Sequence, residues 1–374
     1  LAYKIAQDDR VATAVATVAD NSVITVTSKT GYALQVGTIA STLNNLALTG
    51  TTAITSSELF LTNMANNGTL ELTAAGMGAT VTMKDASGNS DTFNIVIGDQ
   101  TSPTNVGTVV VNSVETINVT TTDIFTDDGT KGGGTKDDGK DDSNSSSTLV
   151  VSADAAKTVN VSGAGDLTLD TTSSVLTKVD ASKMTGDLVY TANGAAAGTE
   201  VIAGSGNDTL KASGEKDVLK GGAGNDTFYA TDLTIVHGGA GADKFYFATP
   251  TQLSKVSTIA DLGSGDTIYL VDNENGAGVV VDKFYSAGAQ YNPNTADFAD
   301  KLSASLKQTG EGEATWFQHA GNTYIVMDND DTNDLAAGAV DTYNAGKDVV
   351  IEITGLVDLS TASFNVQFGT LEIA

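Results

Sequence analysis

The chain has 374 residues, of which 46 are acidic and 19 basic, and its formal net charge is −27. This balance excludes a nucleic-acid partner, because phosphate binding needs a basic face. The absence of Cys excludes disulfides and thiolate metal sites. No apolar run reaches the roughly 18 residues of a membrane span, so no transmembrane segment is predicted. Because so acidic a chain repels itself, we expect a divalent cation to neutralise part of the charge.

Residues 1–100 contain short segments that alternate apolar and polar residues, among them 70–73, 80–84 and 92–97. Such alternation predicts half-buried β-strands. The acidic stretch 85–91 is similar to the turns of the repeats that follow later in the chain. A β-solenoid and a small β-sandwich both fit this N-terminal region, and we favour the solenoid.

Residues 101–200 contain a looser repeat of about 20 residues, the length of a solenoid coil. Its copies predict successive strands, and they begin at Val114, Ala156, Leu176 and Thr199. The acidic segment 126–148 interrupts them and contains no large apolar residue. It cannot bury enough surface to order itself, so we predict a flexible insertion within the solenoid.

Residues 201–270 contain a nonapeptide repeat of the form G-G-x-G-x-D-x-U-x, where U is a large apolar residue. Asp208, Asp217 and Asp226 lie nine residues apart, and Asp243 follows after 17. The first six residues of a repeat form a turn whose glycines reach conformations closed to other residues. The last three form a short strand with U in the core. Two repeats complete one coil, so turns two repeats apart are expected to stack.

Stacked turns of this kind direct main-chain carbonyls and one carboxylate at a hard cation, and this set of oxygen ligands is typical of calcium. Turns 204–208, 222–226 and 239–243 should form two good sites on one edge. Asp217 belongs to a weaker site on the opposite edge, and Asp261 with Asp266 is a candidate terminal site. The predicted ligands of several calcium ions are Gly204, Gly206, Asn207, Asp208, Asp217, Gly221, Gly222, Gly224, Asn225, Asp226, Gly238, Gly239, Gly241, Asp243, Asp261 and Asp266.

Residues 271–374 change pattern and are predicted to form a mixed cap over the end of the stack, as repeat arrays require. A helix is predicted over 294–306, with Asn294 or Thr295 as its N-cap. For the acidic segment 328–334, a further calcium loop and a solvated turn remain open. The fold is therefore predicted as all-β: a right-handed parallel β-solenoid that passes into a calcium β-roll, with a mixed C-terminal cap containing one helix.

Catalytic motifs are absent from the sequence. The chain has two histidines, His237 and His319, and it lacks both the H-E-x-x-H motif of zinc proteases and the G-x-S-x-G motif of lipases. Polysaccharide lyases built on solenoids use a basic, aromatic groove, whereas this chain contains a single arginine. We therefore expect that the protein is not an enzyme.

The nonapeptides resemble those of the RTX family, whose members bacteria export by type I secretion. From residue 70 onward the chain also resembles RTX-type S-layer proteins, on segments 114–120, 179–186, 314–326 and 353–361. This resemblance implies a secreted structural protein of the bacterial cell surface. It further implies self-association into a two-dimensional lattice and recognition by the type I secretion apparatus, with residues 364–374 within the uncleaved export signal.

A second interpretation is the C-terminal calcium-binding part of a large RTX adhesin. Lattice subunits should form sheets with calcium alone, whereas an adhesin fragment should stay monomeric. In either case the sites should be empty in the cytosol and fill outside, where calcium modules bind at about 10⁻⁴–10⁻³ M. Folding would then follow export, because forming such a site and folding are coupled.

Overall fold

The computed structural model divides into two compact units, Leu1–Gly206 and Asn207–Ala374. The residues that it describes are 11–16, 23–28, 39–40, 45–49, 59–72, 78–98, 105–122, 146–191, 198–248, 251–272, 279–286, 297–309, 312–329, 343–344 and 347–374.

The first unit consists of short strands that alternate between two sheets. These strands are β1 (Val11–Ala16), β2 (Val23–Ser28), β3 (Ile39–Ala40), β4 (Asn45–Thr49), β5 (Leu59–Met64), β6 (Gly68–Leu72), β7 (Ala79–Met83), β8 (Thr92–Ile97), β9 (Asn105–Val111), β10 (Thr116–Thr121), β11 (Ser147–Ser152), β12 (Thr158–Gly163), β13 (Leu167–Thr171), β14 (Lys178–Met184), β15 (Leu188–Thr191) and β16 (Glu200–Ile202). Even-numbered strands form one sheet, with β1 at its edge, and the odd-numbered strands from β3 onward form the other.

Neighbouring strands within each of these sheets run parallel, apart from the antiparallel pair β1 and β2. Strands β2, β4, β6 and β8 stack in this way within the first hundred residues. Each strand thus pairs with the strand two places further along the chain, which is the connectivity of a parallel β-solenoid with two strands per coil.

The core of the first unit lies between its two sheets. Along β8 and β10 alternate residues are buried, because successive side chains of a strand point to opposite faces. Paired strands stay in register, so Ile117 lies between Phe93 and Val159. All three side chains are at most 1% exposed, and burial of each such side chain contributes about 1.5–3 kcal/mol.

The predicted insertion at 126–148 follows β10, and its last two residues, Ser147 and Thr148, already belong to β11. Strands β10 and β12 on either side of it are direct neighbours in register. Asn118 and Asn160 face each other in this pair although 42 residues separate them. Residues 123–145 lie outside the described ranges, so the predicted flexibility of this segment is not tested.

The second unit begins with the same alternation and ends in a mixed arrangement. Its elements are β17 (Thr209–Lys211), β18 (Val218–Ala223), β19 (Thr227–Ala230), β20 (Ile235–Ala240), β21 (Lys244–Phe247), a 3-10 helix (Leu253–Lys255), β22 (Ser257–Ile259), β23 (Thr267–Tyr269), β24 (Val271–Asp272), β25 (Val279–Val280), β26 (Lys283–Phe284), helix α1 (Phe298–Gln308), β27 (Glu313–His319), β28 (Asn322–Asp328), β29 (Val349–Ile353), a 3-10 helix (Leu359–Thr361), β30 (Ser363–Asn365) and β31 (Thr370–Glu372).

The parallel stacks of the second unit end in strands from the C-terminal part. One sheet runs in the order β18, β20, β22, β29, β28, β27, β26, and it becomes antiparallel at β28. The other runs β17, β19, β21, β23, β31, β30, where β31 lies antiparallel to β23. Antiparallel strands cannot continue the coil, so they close the stack.

Helix α1 covers β27 and β28 through a cluster of Leu302, Leu306, Phe317, Val326 and Val350. It begins four residues later than the sequence predicted, because its N-cap is Asp297 rather than Asn294 or Thr295. The Asp297 carboxylate accepts from the Asp300 N–H at 2.9 Å, and Asp is a strong N-cap.

In the part of the chain that is described, helix α1 is the only α-helix, and no helix has the length and apolar character needed to span a membrane. The predicted all-β solenoid and β-roll with one helix is thereby confirmed.

Candidate calcium centre

One edge of the second unit carries a column of buried aspartates, one for each coil. The members of this aspartate column, Asp208, Asp226, Asp243 and Asp266, directly precede β17, β19, β21 and β23 and are at most 3% exposed. The N–H of each donates to the carboxylate of the next, over 2.7 Å, 2.9 Å and 3.0 Å in chain order. Like charges buried in a line are costly unless a cation neutralises them.

The carboxylate of Asp243 has one oxygen that makes no hydrogen bond. Its Oδ1 accepts the Asp226 N–H, whereas its Oδ2 is buried and makes no hydrogen bond. A Cβ at Gly238 would stand 2.4 Å from this Oδ2, and a Cβ at Gly221 only 2.0 Å from Oδ2 of Asp226. Glycine therefore keeps the space beside both carboxylates clear. A buried carboxylate oxygen with no partner, next to such a cradle, fits a hard cation.

Burial disfavours the ionised form of these acids. It raises the pKa of Asp243 to about 6, against the opposing effect of the hydrogen bond from Asp226, and the charges of Asp266 and Asp261 raise it further. Burial is also the main cause that raises the pKa of Asp266. A bound cation would favour the ionised carboxylates and so reverse this effect.

Main-chain carbonyls of one turn face the turn of the next coil. Gly239 and Gly241 have φ values of +98° and +141°, which side-chain-bearing residues rarely adopt. A Cβ on Gly239 would lie 2.2 Å from the Gly222 carbonyl oxygen, and one on Gly241 would lie 1.8 Å from that of Gly224. Main-chain carbonyl oxygens are ligands that calcium commonly takes.

Asparagines join the same turns without using charge. The Asn225 N–H donates to Oδ1 of Asn207, and the Ala242 N–H donates to Oδ1 of Asn225, both at 2.8 Å. The side-chain oxygens of Asn207 and Asn225, two predicted ligands, therefore accept hydrogen bonds between coils.

Asp217 lies apart from the column, at the start of β18 in the other sheet. Its Oδ2 accepts from the main-chain N–H of Ser213 and Gly214, at 3.3 Å and 3.1 Å. On this side Lys255 forms ion pairs with Glu215 and, at 3.6 Å, with Asp232. A lysine thus supplies positive charge on this edge, a role that the sequence did not reveal because Lys255 is distant from Glu215 along the chain.

Asp261 holds the last glycine turn in place. Its two carboxylate oxygens accept from Gly238 N–H at 2.8 Å and Gly239 N–H at 3.2 Å. Asp266 accepts from Gly263 N–H through Oδ2 at 2.7 Å, in addition to the bond from Asp243. Both acids are therefore engaged with main-chain donors at the end of the column.

Gly204 and Gly206 end the first unit, where they pack against the preceding coil. A Cβ on Gly204 would lie 2.1 Å from the Met184 carbonyl oxygen, and one on Gly206 would lie 2.5 Å from that of Gly186. Their absence of side chains permits this close stacking.

Across the described residues no cluster of three or more His, Asp or Glu side chains is arranged to hold a metal ion. Calcium at the column would therefore take most of its ligands from main-chain carbonyls, with few carboxylates at each ion. Of the acidic segment 328–334, residues 330–334 lie outside the described part, so the choice between a calcium loop and a solvated turn is not tested.

Residues 202–232 match the family model of the RTX calcium-binding nonapeptide repeat, in four copies. The match supports an RTX-type, calcium-binding protein with a β-roll, and RTX repeat proteins are typically secreted. No curated protein matches the chain. The RTX match ends before Asp243 and Asp266, which continue the aspartate column beyond it.

Three tyrosines form a second column, which the sequence pattern did not predict. Tyr229, Tyr246 and Tyr269 stack with ring centroids 4.8 Å and 4.1 Å apart. Each follows an inward-facing residue by one position, so the register of the repeats could have revealed them.

Proposed function

We propose that the chain is a structural subunit of a calcium-dependent bacterial surface (S-layer) lattice, exported by type I secretion. The observation that carries this proposal is the aspartate column, because the coils of the RTX segment, residues 202–232, stack through buried acids whose negative charge a bound cation would neutralise. A chain of this kind stays open where calcium is scarce and folds where calcium is abundant. That behaviour suits a protein that must leave the cell before it assembles.

Apolar side chains exposed near the C-terminus support self-association. Leu356 is 65% exposed, Val366 57% and Phe368 56%, whereas most large apolar residues of the described chain are buried. Exposed apolar side chains mark interaction sites where they form a contiguous patch. We propose that these residues contact neighbouring subunits in the lattice.

We further propose that the protein has no catalytic activity. His319 packs edge-on against Phe298, with ring centroids 5.6 Å apart, as a structural residue does. His237 is 41% exposed and lies 4.0 Å from Asp261, which itself holds a turn. His319 thus packs against an aromatic side chain, and His237 lies at the surface.

The proposal is tested by titrating the whole chain with calcium, from chelator to about 10 mM. Circular dichroism follows folding, light scattering follows assembly, and electron microscopy identifies ordered sheets. We expect β-structure first and sheets afterwards. A chain that folds but stays monomeric would favour the adhesin interpretation, and a chain indifferent to calcium would overturn both.

A further inference from the structure

A buried carboxylate oxygen without a hydrogen bond also occurs in the first unit, outside the residues that match the RTX model. Asp91 directly precedes β8 and is 7% exposed. Its Oδ1 accepts from Nδ2 of Asn66 at 2.9 Å, whereas its Oδ2 is buried and makes no hydrogen bond. Burying an unsatisfied charged oxygen costs several kcal/mol, roughly, unless a ligand compensates.

Asp91 stands in a column of its own. Thr92 and Thr116 pair in register, so Asp91 and Glu115 occupy equivalent places before β8 and β10. The Asp91 N–H donates to Oε2 of Glu115 at 2.9 Å, and the Thr92 N–H donates to Oδ1 of Asn66 at 2.9 Å. The bond from Asp91 to Glu115 matches the aspartate column, in which each N–H donates to an acidic side chain one coil later.

The turn at 85–91 leaves room at the unsatisfied oxygen. A Cβ on Gly88 would lie 3.1 Å from Oδ2 of Asp91, so glycine keeps this side of the carboxylate open. Asp266 provides a comparison, since Gly263 also lies three residues before it. There the Gly263 N–H donates to Oδ2 at 2.7 Å, a bond that Asp91 lacks.

The same turn contains a second acid that favours its ionised form. Oδ1 of Asp85 accepts from the Oγ and the N–H of Ser87, at 2.7 Å and 3.0 Å. These two bonds lower the pKa of Asp85. The turn therefore carries negative charge near neutral pH.

We propose that Asp91, together with Glu115 and oxygens of turn 85–91, binds a divalent cation in the first unit. The donors are oxygens alone, and calcium accepts irregular arrangements of oxygens that the strictly octahedral magnesium ion does not. The cation would bind Oδ2 of Asp91 and offset the charge of Glu115 beside it. This inference does not depend on the proposed lattice function.

The test counts calcium ions bound to the whole chain by equilibrium dialysis at about 1 mM calcium, a concentration near the affinity of extracellular modules. Asp91→Asn keeps the shape of the side chain and an oxygen for Asn66, and we expect it to bind one ion fewer than the parent. Asp170→Asn is the matched control, because it removes the same charge from a half-buried site on β13. An unchanged count in a folded Asp91→Asn chain overturns the proposal.

A second variant decides the question if Asp91→Asn fails to fold. Gly88→Ala retains every charge but crowds Oδ2 of Asp91, so we expect fewer ions bound below saturation and the full number at high calcium. A binding curve identical to that of the parent would contradict the proposal. The double variant Asp91→Asn with Asp226→Asn separates this site from the RTX repeats, since the two losses of bound calcium should add.

Discussion

The two units hold their coils together with different side-chain ladders. In the first unit Asn94, Asn118 and Asn160 stack on the outer face. The Nδ2 of Asn118 donates to Oδ1 of Asn94, and the Nδ2 of Asn160 donates to Oδ1 of Asn118, both at 2.8 Å. In the second unit the bonds between coils run to the buried carboxylates of the aspartate column. An amide carries both a donor and an acceptor, whereas an ionised carboxylate only accepts. The first ladder is therefore complete in itself, and the second needs a cation.

Strands of the two units also differ in how many apolar side chains they bury. β12 buries two apolar side chains, Val159 and Val161, whereas β17 is three residues long and buries Leu210 alone. β17 thus removes less apolar surface from water than β12 does. The comparison teaches that one solenoid architecture can have two origins of stability, an intrinsic one and one conditional on metal.

Removal of calcium should have the largest effect, because we expect the two units to respond to it differently. We expect chelation to abolish amide-hydrogen protection over 209–247, because each buried aspartate loses its counter-charge and site formation is coupled to folding. Protection over 147–191 should persist, since the asparagine ladder and the apolar core there involve no cation. Hydrogen exchange followed by mass spectrometry measures both regions in one sample. An equal loss of amide-hydrogen protection in the two regions would show that both units depend on calcium to the same extent.

Gly241→Ala should cause the next largest effect. The new Cβ would meet the Gly224 carbonyl oxygen at 1.8 Å, and the φ of +141° adds strain, so we expect a loss of about 3 kcal/mol or more in calcium. Gly265→Ala is the control, because its φ is also positive, at +93°, but its nearest neighbour lies at 3.6 Å. It should cost about 1 kcal/mol. Similar losses in thermal unfolding would show that close stacking of turns is unimportant.

Calcium affinity of the second unit should fall as the pH falls below 6. Because the folded, calcium-free pKa of Asp243 is about 6 and lies above the usual 3.8, the folded state without calcium loses stability as the pH rises between these values. Calcium binds the ionised form, so the affinity of the folded chain is full above pH 6 and falls by about tenfold per pH unit below it, whereas an unfolded calcium-free chain would lose affinity only near the ordinary value of 3.8. Calorimetric titration at pH 5 and 7 checks this expectation. An affinity that does not change between these two pH values would show that calcium does not bind Asp243 in an already folded chain.

Asn118→Ala should destabilise the first unit by the smallest amount. It removes the bonds to Asn94 and Asn160, which are half-buried, and we expect a loss of about 1 kcal/mol with or without calcium. Thr116→Ala, on the same outward face of β10, should cost about 0.5 kcal/mol or less. Denaturant unfolding in chelator measures both variants. If Asn118→Ala lowers the free energy of unfolding only when calcium is present, the asparagine ladder depends on calcium as the aspartate column does, and the comparison is wrong.

The spacing of the nonapeptides predicted the aspartate column because the coil length follows directly from it. Two repeats of nine make one coil, and Asp208 and Asp226 indeed bond across 18 residues. The next steps span 17 and 23 residues, and the pattern alone offers no reason for the longer one. Asp91 escaped prediction for a related reason. The stretch 85–91 is similar to the turns of the later repeats, but the partner of Asp91 one coil later is Glu115 rather than another aspartate, so the spacing of aspartates did not predict it as a ligand.

By itself, the sequence determined the strand character of the chain, the side chains that face the core and the glycine turns of the RTX segment. These are local properties, set by alternation along a strand and by the few residues that tolerate a positive φ. Only the tertiary structure decided which acids meet, because that depends on the number of residues in each coil. Lys255 beside Glu215 and Asp91 beside Glu115 became visible once the coils were stacked.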